Sequence, residues 1–482
     1  MPRRSGLAVD IGCGLCSNRL TEKVRKGWCP VPDRNVEMAQ EIARQTAKLG
    51  GRVYYVGGFV RDRLLGSRSK DVDIEVHGIT PEALEGILDN LGERTEMGAS
   101  FGVYGLKHYG LDIAMPRRER ASGRGHRDFA IFVDPFLGTE KAALRRDFTI
   151  NAMMEDVLTG QVVDHFGGRE DLCRGIVRHV NSHSFIEDPL RVLRAAQFAA
   201  RFEFSVAEET IALCASMDLT ALARERVMAE LEKALLKAPR PSVFFEVLRR
   251  MGQLGVWFPE AEALIGVPQD PRFHPEGDVW NHTMLVLDEA AKLRQQAKEP
   301  LGLMLAALCH DLGKKEAIQI ENGRIRALGH EEAGIPLTQA LVSRLTGERK
   351  LQSYVSNMVL LHMRPNLLAG QHSGPKSYRR LFDRSVCPED LLLLSKADAL
   401  GCSTGGDYGP TQQILAAALA DFREVMARPY VQGADLVQAG FAPGKDFAGA
   451  LELAHKLRLA GVEKKAALAQ SAAFLQRERT KN

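Results

Sequence analysis

The sequence predicts an α+β fold, with a strand-bearing N-terminal head followed by helices almost to the end of the chain. Three observations carry this expectation. Val53-Tyr54-Tyr55-Val56 is rich in β-formers and stops at Gly57-Gly58, and Asp71 to Val76 alternates acidic and apolar residues with a strand's period of two. From about Arg169 onward apolar residues recur at helical spacing. Pro268 to Pro275 is a proline-containing connection with polar flanks that separates two helical blocks. The expected organisation is an extension, disordered, over residues 1–34, a head over 35–168, a helical neck over 169–267, a second helical block over 268–402 and a helical tail over 403–482.

Taken in order, the first helical pattern is Val36 to Leu49. The strand over 53–56, the Gly-Gly turn, a short helix and the acidic strand follow. Thr80-Pro81-Glu82 opens another helix, with Thr80 as cap and Pro81 at its first position. Phe101 to His108 and Leu111 to Met115 are expected strands with a glycine turn between them. Pro116 to Arg127 holds five arginines, a histidine and two glycines, a loop that cannot pack a core but could close over phosphates. Helical spacing marks Asp188 to Arg201, Ala207 to Ser216, Arg224 to Leu236, Ser242 to Met251 and the block from His282 to about Leu400. Gly401 to Gly406 is an expected linker, and the tail from Pro410 is helical and alanine-rich.

Composition sets the limits. A 45% hydrophobic and 26% charged chain of 482 residues is ordinary for a soluble protein of several domains. No apolar run approaches the roughly 20 residues of a membrane span, and Ser5 to Leu20 lacks the apolar core of a signal peptide. A cytoplasmic protein with no membrane partner is expected. The net charge is only +3, so a nucleic-acid surface must come from local clustering. Cys173, Cys214, Cys309, Cys387 and Cys402 are scattered singly and are expected to be reduced. Cys13, Cys16 and Cys29 have metal-like spacing without a fourth ligand nearby.

The chemistry concentrates first at Gly57-Gly58-Phe59-Val60-Arg61-Asp62 and Asp71-Val72-Asp73. A strand ending in two glycines lets backbone N–H groups approach phosphate oxygens. Asp71 and Asp73 point to one face of the next strand, and paired carboxylates beside a phosphate-binding turn suit Mg²⁺. Arg61, in the first turn of the helix, can reach phosphate with its planar fork, and Asp62 can brace it. An Asp-x-Asp pair alone is a weak signal; its combination with the turn is a strong one.

These residues, with Lys70 before Asp71, resemble the signature of the class II nucleotidyltransferases, the family of tRNA CCA-adding enzymes and bacterial poly(A) polymerases. Arg145 to Met153 resembles its second motif, and Glu187-Asp188-Pro189-Leu190-Arg191-Val192-Leu193-Arg194 resembles the motif that reads the incoming base. The likeness spans roughly Arg52 to Phe204 and implies a nucleotidyltransferase head built on a small mixed or antiparallel sheet. It implies Mg²⁺ at Asp71 and Asp73, with Asp112 as third carboxylate, although Asp112 also suits an ordinary exposed strand position. It further implies that Arg146 contacts nucleotide and that Asp147 and Asn151 hold the ribose or bridge head to neck. Arg145 fits a surface charge equally well. Asp188, Arg191 and Arg194 share one helix face, and the resemblance implies that they select CTP and ATP. Gln197 departs from the family, many of whose members carry another arginine there, so the nucleotide specificity stays open.

A second pattern comprises His282, His310-Asp311, His330, His362 and Asp398. It resembles the HD phosphohydrolase family. The resemblance implies His282, His310, Asp311 and Asp398 as core metal ligands, His330 and His362 for a second ion, and Lys314 facing substrate phosphate. Imidazole and carboxylate ligands suit Mn²⁺, Ni²⁺, Fe²⁺ or Zn²⁺. The expected function is template-independent addition of CCA, or part of it, to tRNA 3′ ends from CTP and ATP, with phosphohydrolase activity in the second block. A poly(A) polymerase and an HD phosphohydrolase with an RNA-binding head are the alternatives.

Overall fold

The computed structural model describes residues 33–67, 71–98, 102–121, 129–321, 324–402 and 407–481. Lys70, Phe101, Cys13, Cys16, Cys29, the second half of the arginine-rich segment and most of the expected linker and extension lie outside the described residues. The chain divides into two compact units between Ala221 and Leu222. That limit falls within the stretch expected as the neck, and Pro268 to Pro275 lies inside the second unit.

In the first unit α1 (Arg34–Lys48) starts where the Asp33 carboxylate accepts from Asn35 N, and it buries Ala39, Ile42 and Ala43. The chain then runs through β1 (Arg52–Val56), α2 (Gly58–Leu64), β2 (Val72–His77), α3 (Pro81–Leu91), β3 (Arg94–Gly98), β4 (Val103–Leu106) and β5 (Leu111–Ala114). Next come β6 (Arg117–Ala121), β7 (Phe129–Val133), β8 (Met154–Asp156) and β9 (Val162–Val163). One mixed sheet has the order β3-β4-β5-β2-β1-β8-β9. β1 runs antiparallel to β2 and β8, while β2 and β5 are parallel. A parallel pair requires a crossover, which α3 and the β3–β4 hairpin supply.

The period of β2 decides its packing. Val72, Ile74 and Val76 are fully buried on one face, which leaves Asp73, Glu75 and His77 on the other. After the sheet, α4 (Leu190–Phe202) docks its apolar face through Phe198, which meets Phe148 edge-on at 5.5 Å; Phe148 meets Phe185 in the same way at 5.6 Å.

Several elements differ from expectation. Part of the arginine-rich segment is the strand β6, paired residue for residue with β7 from Arg117 opposite Val133 to Ala121 opposite Phe129. Its charged sequence has little intrinsic β preference, so the partner strand decides. The helical region contains two short parallel strands, Ile176–Val177 and Ser205–Val206, and a hairpin of Gln319–Glu321 with Arg324–Arg326. α4 starts at Leu190 with Pro189 as its cap, two residues after the expected Asp188. Cys214, Cys309, Cys387 and Cys402 are reduced thiols as expected, whereas Cys173 is disulfide-bonded.

The second unit is a helical bundle. Helices Arg224–Lys237 and Ser242–Arg250 precede α5 (Val279–Leu293), α6 (Pro300–Cys309), α7 (His330–Leu345), α8 (Arg349–Leu361) and α9 (Pro388–Gly401). Every residue of α6 from Gly302 to Cys309 is buried, as befits a helix apolar on all sides, and it packs against α5, α8 and α9. The tail helices Gly409–Ala427, Phe447–Leu459 and Lys464–Lys481 follow, the last two enclosing a small core of Leu436, Ala450, Ala454, Ala467 and Leu475. Among the described residues no helix is long and apolar enough to cross a membrane.

The start of α6 is capped from far away in sequence. Asp390, fully buried in the first turn of α9, accepts from Lys298 N at 2.8 Å, Glu299 N at 3.0 Å and the Tyr354 hydroxyl at 2.6 Å. Asp390→Ala removes a buried acceptor shared by three donors and should lower unfolding stability by about 2–4 kcal/mol. Urea denaturation reports this as an earlier midpoint. An unchanged midpoint would show that these contacts do not hold the bundle together.

Candidate active site and metal centre

In the first unit the site is built on the turn between β1 and α2. Gly57 has φ 65° and ψ −130°, a conformation that only glycine adopts without strain. A Cβ added there would lie 3.2 Å from Arg146 Nη1 and 3.9 Å from Asp73 Oδ2, so turn, arginine and carboxylate face one another. The parallel β2–β5 register sets Asp112 directly opposite Asp73, and Asp71 immediately precedes β2. Burial raises the Asp73 carboxyl above its usual range, and repulsion from Asp112 and Asp71 adds to this while Arg146 opposes it. A divalent cation bound among these oxygens would relieve that repulsion, and an all-oxygen donor set fits Mg²⁺. The three acids are not among the sets whose ligand atoms all fall within 4.8 Å of one another.

Arg146 is held from behind. Its Nη2 donates to Glu75 Oε2 at 3.2 Å, and Glu75 Oε1 lies 2.8 Å from His77 Nε2. Burial pushes the Glu75 carboxyl up, but His77 and Arg146 together hold it below the usual value. Arg146 Nε is buried without a partner. Glu75 and His77 escaped the sequence reading, although the alternation that paired Asp71 with Asp73 places both on the same face.

Arg61 differs from its expected role. It is buried, its Nε and Nη2 donate to Asp62 at 2.8 and 2.7 Å, and its Nη1 donates to Asn151 Oδ1 at 2.6 Å. Its guanidinium lies 4.6 Å from the ring centroid of Phe202. These contacts brace the turn against α4 instead of presenting a free fork to phosphate. Asn151 Nδ2 donates to Asp147 Oδ1 at 3.0 Å, and Arg194 Nε and Nη2 reach Asp147 Oδ2 at 2.8 and 2.6 Å. Burial would raise the Asp147 carboxyl, but Arg194 and Asn151 keep it low and ionised.

The other residues of the α4 face are also engaged. Arg191 Nη1 donates to Ser184 O at 2.7 Å and its Nη2 to Arg145 O at 2.9 Å, while Asp188 Oδ1 accepts from Leu190 N at 3.2 Å. Arg145 Nη1 donates to Arg117 O on β6. Reading a base edge from this face therefore requires donors to be re-aimed. Gln197 is buried, with its Nε2 unpartnered.

In the second unit the six residues singled out from sequence converge. His282 Nε2 lies 3.1 Å from Asp398 Oδ1 and 3.6 Å from Asp311 Oδ2, and His310 Nε2 lies 3.1 Å from Asp311 Oδ2. The other Asp311 oxygen is 3.3 Å from His330 Nε2 and 3.9 Å from His362 Nε2. Ligand atoms of His282, His310 and Asp398 form one set within 4.8 Å, and those of Asp311, His330 and His362 form another. His310, His330 and His362 place Nδ1 2.8, 2.8 and 2.7 Å from the carbonyls of Ala307, Ala327 and Val359. A carbonyl only accepts, so Nδ1 carries a proton, and in the neutral ring Nε2 turns its lone pair toward the centre.

Further properties fit a metal ion here. His310 Nε2 is buried without a hydrogen-bond partner. Burial pushes His362 down to about 4, which keeps it neutral. Burial opposes ionisation of Asp311, yet His310 and Lys314 hold it well below the usual range. Lys314 Nζ reaches Asp311 Oδ2 at 2.8 Å and Gln269 Oε1 at 2.6 Å. The mixed imidazole–carboxylate donor set matches a divalent transition metal.

The chain matches two family models, the poly A polymerase head domain over residues 53–178 and the probable RNA and SrmB-binding site of polymerase A over residues 203–265. It is 39% identical over 401 residues to the multifunctional CCA protein of Laribacter hongkongensis, covering 81% of this chain and 92% of that one. In fold it resembles a Thermotoga maritima CCA-adding enzyme solved in complex with tRNA, at TM-score 0.62 and 19% identity over 95% of this chain and 98% of the other. A Bacillus stearothermophilus CCA-adding enzyme solved with CTP gives TM-score 0.60 and 22% identity, over 93% and 99% of the two chains. With its mixed-sheet head, helical second unit and identity over most of both sequences, the chain belongs to the multifunctional CCA protein family.

Proposed function

We propose that the chain adds CCA to tRNA 3′ ends, taking CTP and ATP as substrates, in the cytoplasm. The observation that carries this reading is the mutual approach of Gly57, Arg146 and Asp73, with Asp112 in register beside them. Asp71, Asp73 and Asp112 would hold Mg²⁺ there. When bound, the ion supplies charge that activates the attacking RNA hydroxyl and stabilises the leaving pyrophosphate. The Gly57 and Gly58 backbone and Arg146 hold the triphosphate, and Glu75 aims Arg146 at it. Arg61, Asn151, Asp147 and Arg194 fix α4 against the turn. Asp188 and Arg191 face the incoming base once their donors turn toward it, and Arg194 supports them from Asp147.

The assembled ligands favour a second activity, metal-dependent hydrolysis of phosphate esters in the second unit. His282, His310, Asp311 and Asp398 would hold one divalent transition-metal ion, and His330 and His362 would complete a second position. When bound, such an ion brings water to nucleophilic form near neutral pH. Lys314, beside Asp311, supplies a cation for the substrate phosphate.

Asp71→Ala or Asp73→Ala should lower nucleotide incorporation into tRNA lacking its 3′ end by at least about a hundredfold, because metal-held charge at the transition state is lost. RNA binding should persist. Labelled NTPs offered singly report the products, and a long run of adenylate alone would mark a poly(A) polymerase instead. Near-normal incorporation by either variant would remove the central claim.

His310→Ala combined with Asp311→Ala should abolish metal-dependent phosphatase or phosphodiesterase activity and leave nucleotide addition largely intact. Asp71→Ala with Asp73→Ala should do the reverse. Circular dichroism must accompany both, since losing metal ligands can unfold a bundle. Loss of both activities in folded variants would sink the assignment of separate chemistry to the two units.

A further inference from the structure

We propose that Glu276, in the turn before α5, is the positioning residue that fixes the tautomer and direction of His282 at the metal centre. The inference rests on the metal-centre reading of the second unit. Among its four histidines His282 stands apart. The other three place Nδ1 against backbone carbonyls, whereas His282 Nδ1 lies 3.0 Å from Glu276 Oε1. His282 Nε2 faces Asp398 and Asp311, so an ion held at the centre takes its one lone pair and leaves the proton on Nδ1. Donation of that proton to a carboxylate holds the ring more firmly than a carbonyl does and makes Nε2 more basic.

Glu276 is itself held for this task. Its side chain is 3% exposed, and its Oε1 also lies 2.9 Å from His274 Nδ1. Two imidazole N–H donors thus meet one carboxylate oxygen, which removes the cost of burying its charge. Asn281 Nδ2 donates to Glu276 O at 3.2 Å and pins the turn to α5. The His274 ring stands edge-on to His282 with centroids 4.8 Å apart. Cys402 Sγ is 3.8 Å from His274 Nδ1 and 4.0 Å from His282 Nδ1.

Ligand atoms of His274, Glu276, His282 and Cys402 also lie within 4.8 Å of one another, a spacing that admits an ion. The two Nδ1–Oε1 separations are hydrogen-bond lengths, however, and His282 has no second lone pair to give. The geometry therefore favours a hydrogen-bonded carboxylate over a metal ligand at Glu276.

The test is titration of the full chain, stripped of metal, with Mn²⁺ or Ni²⁺ by calorimetry. Glu276→Gln preserves shape but removes the charge and can turn its amide N–H toward Nδ1. Its metal affinity should fall by about 10–100-fold, with the metal-free melting temperature and nucleotide addition unchanged. Glu276→Asp, which keeps the charge but shortens its reach, should lie between the two. Equal affinity in Glu276→Gln and the unaltered chain would overturn the positioning role and leave the metal centre standing. An unaltered chain that takes up neither ion would overturn the metal-centre reading itself. A bound-metal content lowered by one ion per chain in Cys402→Ser would assign the cluster an ion of its own and overturn the proposal.

Discussion

Asp147 is enclosed by protein, and both of its oxygens are occupied. Oδ1 accepts from Phe148 N and Asn151, and Oδ2 meets Arg194. A buried carboxylate is tolerated only with such partners, and removing one leaves an uncompensated charge. The constraint propagates: Asn151 must turn its carbonyl to Arg61, and Arg61 must hold Asp62, so the glycine turn, the segment after Arg146 and α4 take one relative arrangement. The apolar contacts of Phe148 with Phe185 and Phe198 back the same interface. The open side of this frame is where Asp73, Asp112 and Arg146 gather.

The second unit treats buried charge differently. Asp311 is no more exposed than Asp147, but four histidine Nε2 atoms face it, and His310 Nε2 has no hydrogen-bond partner. An arginine closes the first network, whereas on the proposed reading the second is completed by a cation from outside. One network is then a strut and the other a receptacle, although both begin with an aspartate inside the protein.

Both sites share a plan in which backbone geometry delivers the reactive groups and carboxylates behind them set their aim. Register between β2 and β5 brings Asp73 and Asp112 together, and the ends of α6 and α8 deliver His310 and His362. Glu75 stands behind Arg146, and Glu276 stands behind His282 from a turn. A metal ligand or phosphate-binding arginine works only when aimed, and rigid elements alone do not aim long side chains.

The amino-acid sequence by itself determined the strand–turn–helix at Gly57, the shared face of Asp71 and Asp73 and the six histidines and aspartates that converge in the second unit. Each depends on local backbone geometry or on residue types whose chemistry survives any packing. The alternation of β2 also places Glu75 and His77 on the face of Asp73. Tertiary structure alone decided the remainder. β6 forms because β7 lies beside it, Arg61 becomes a brace because Asn151 and Phe202 come to it, and the Arg191 donors meet carbonyls supplied by Ser184 and Arg145. Glu276 gains its role from the place where the turn before α5 comes to rest. A long charged side chain takes its function from whichever partner reaches it at hydrogen-bond distance, and that partner lies wherever the fold has put it.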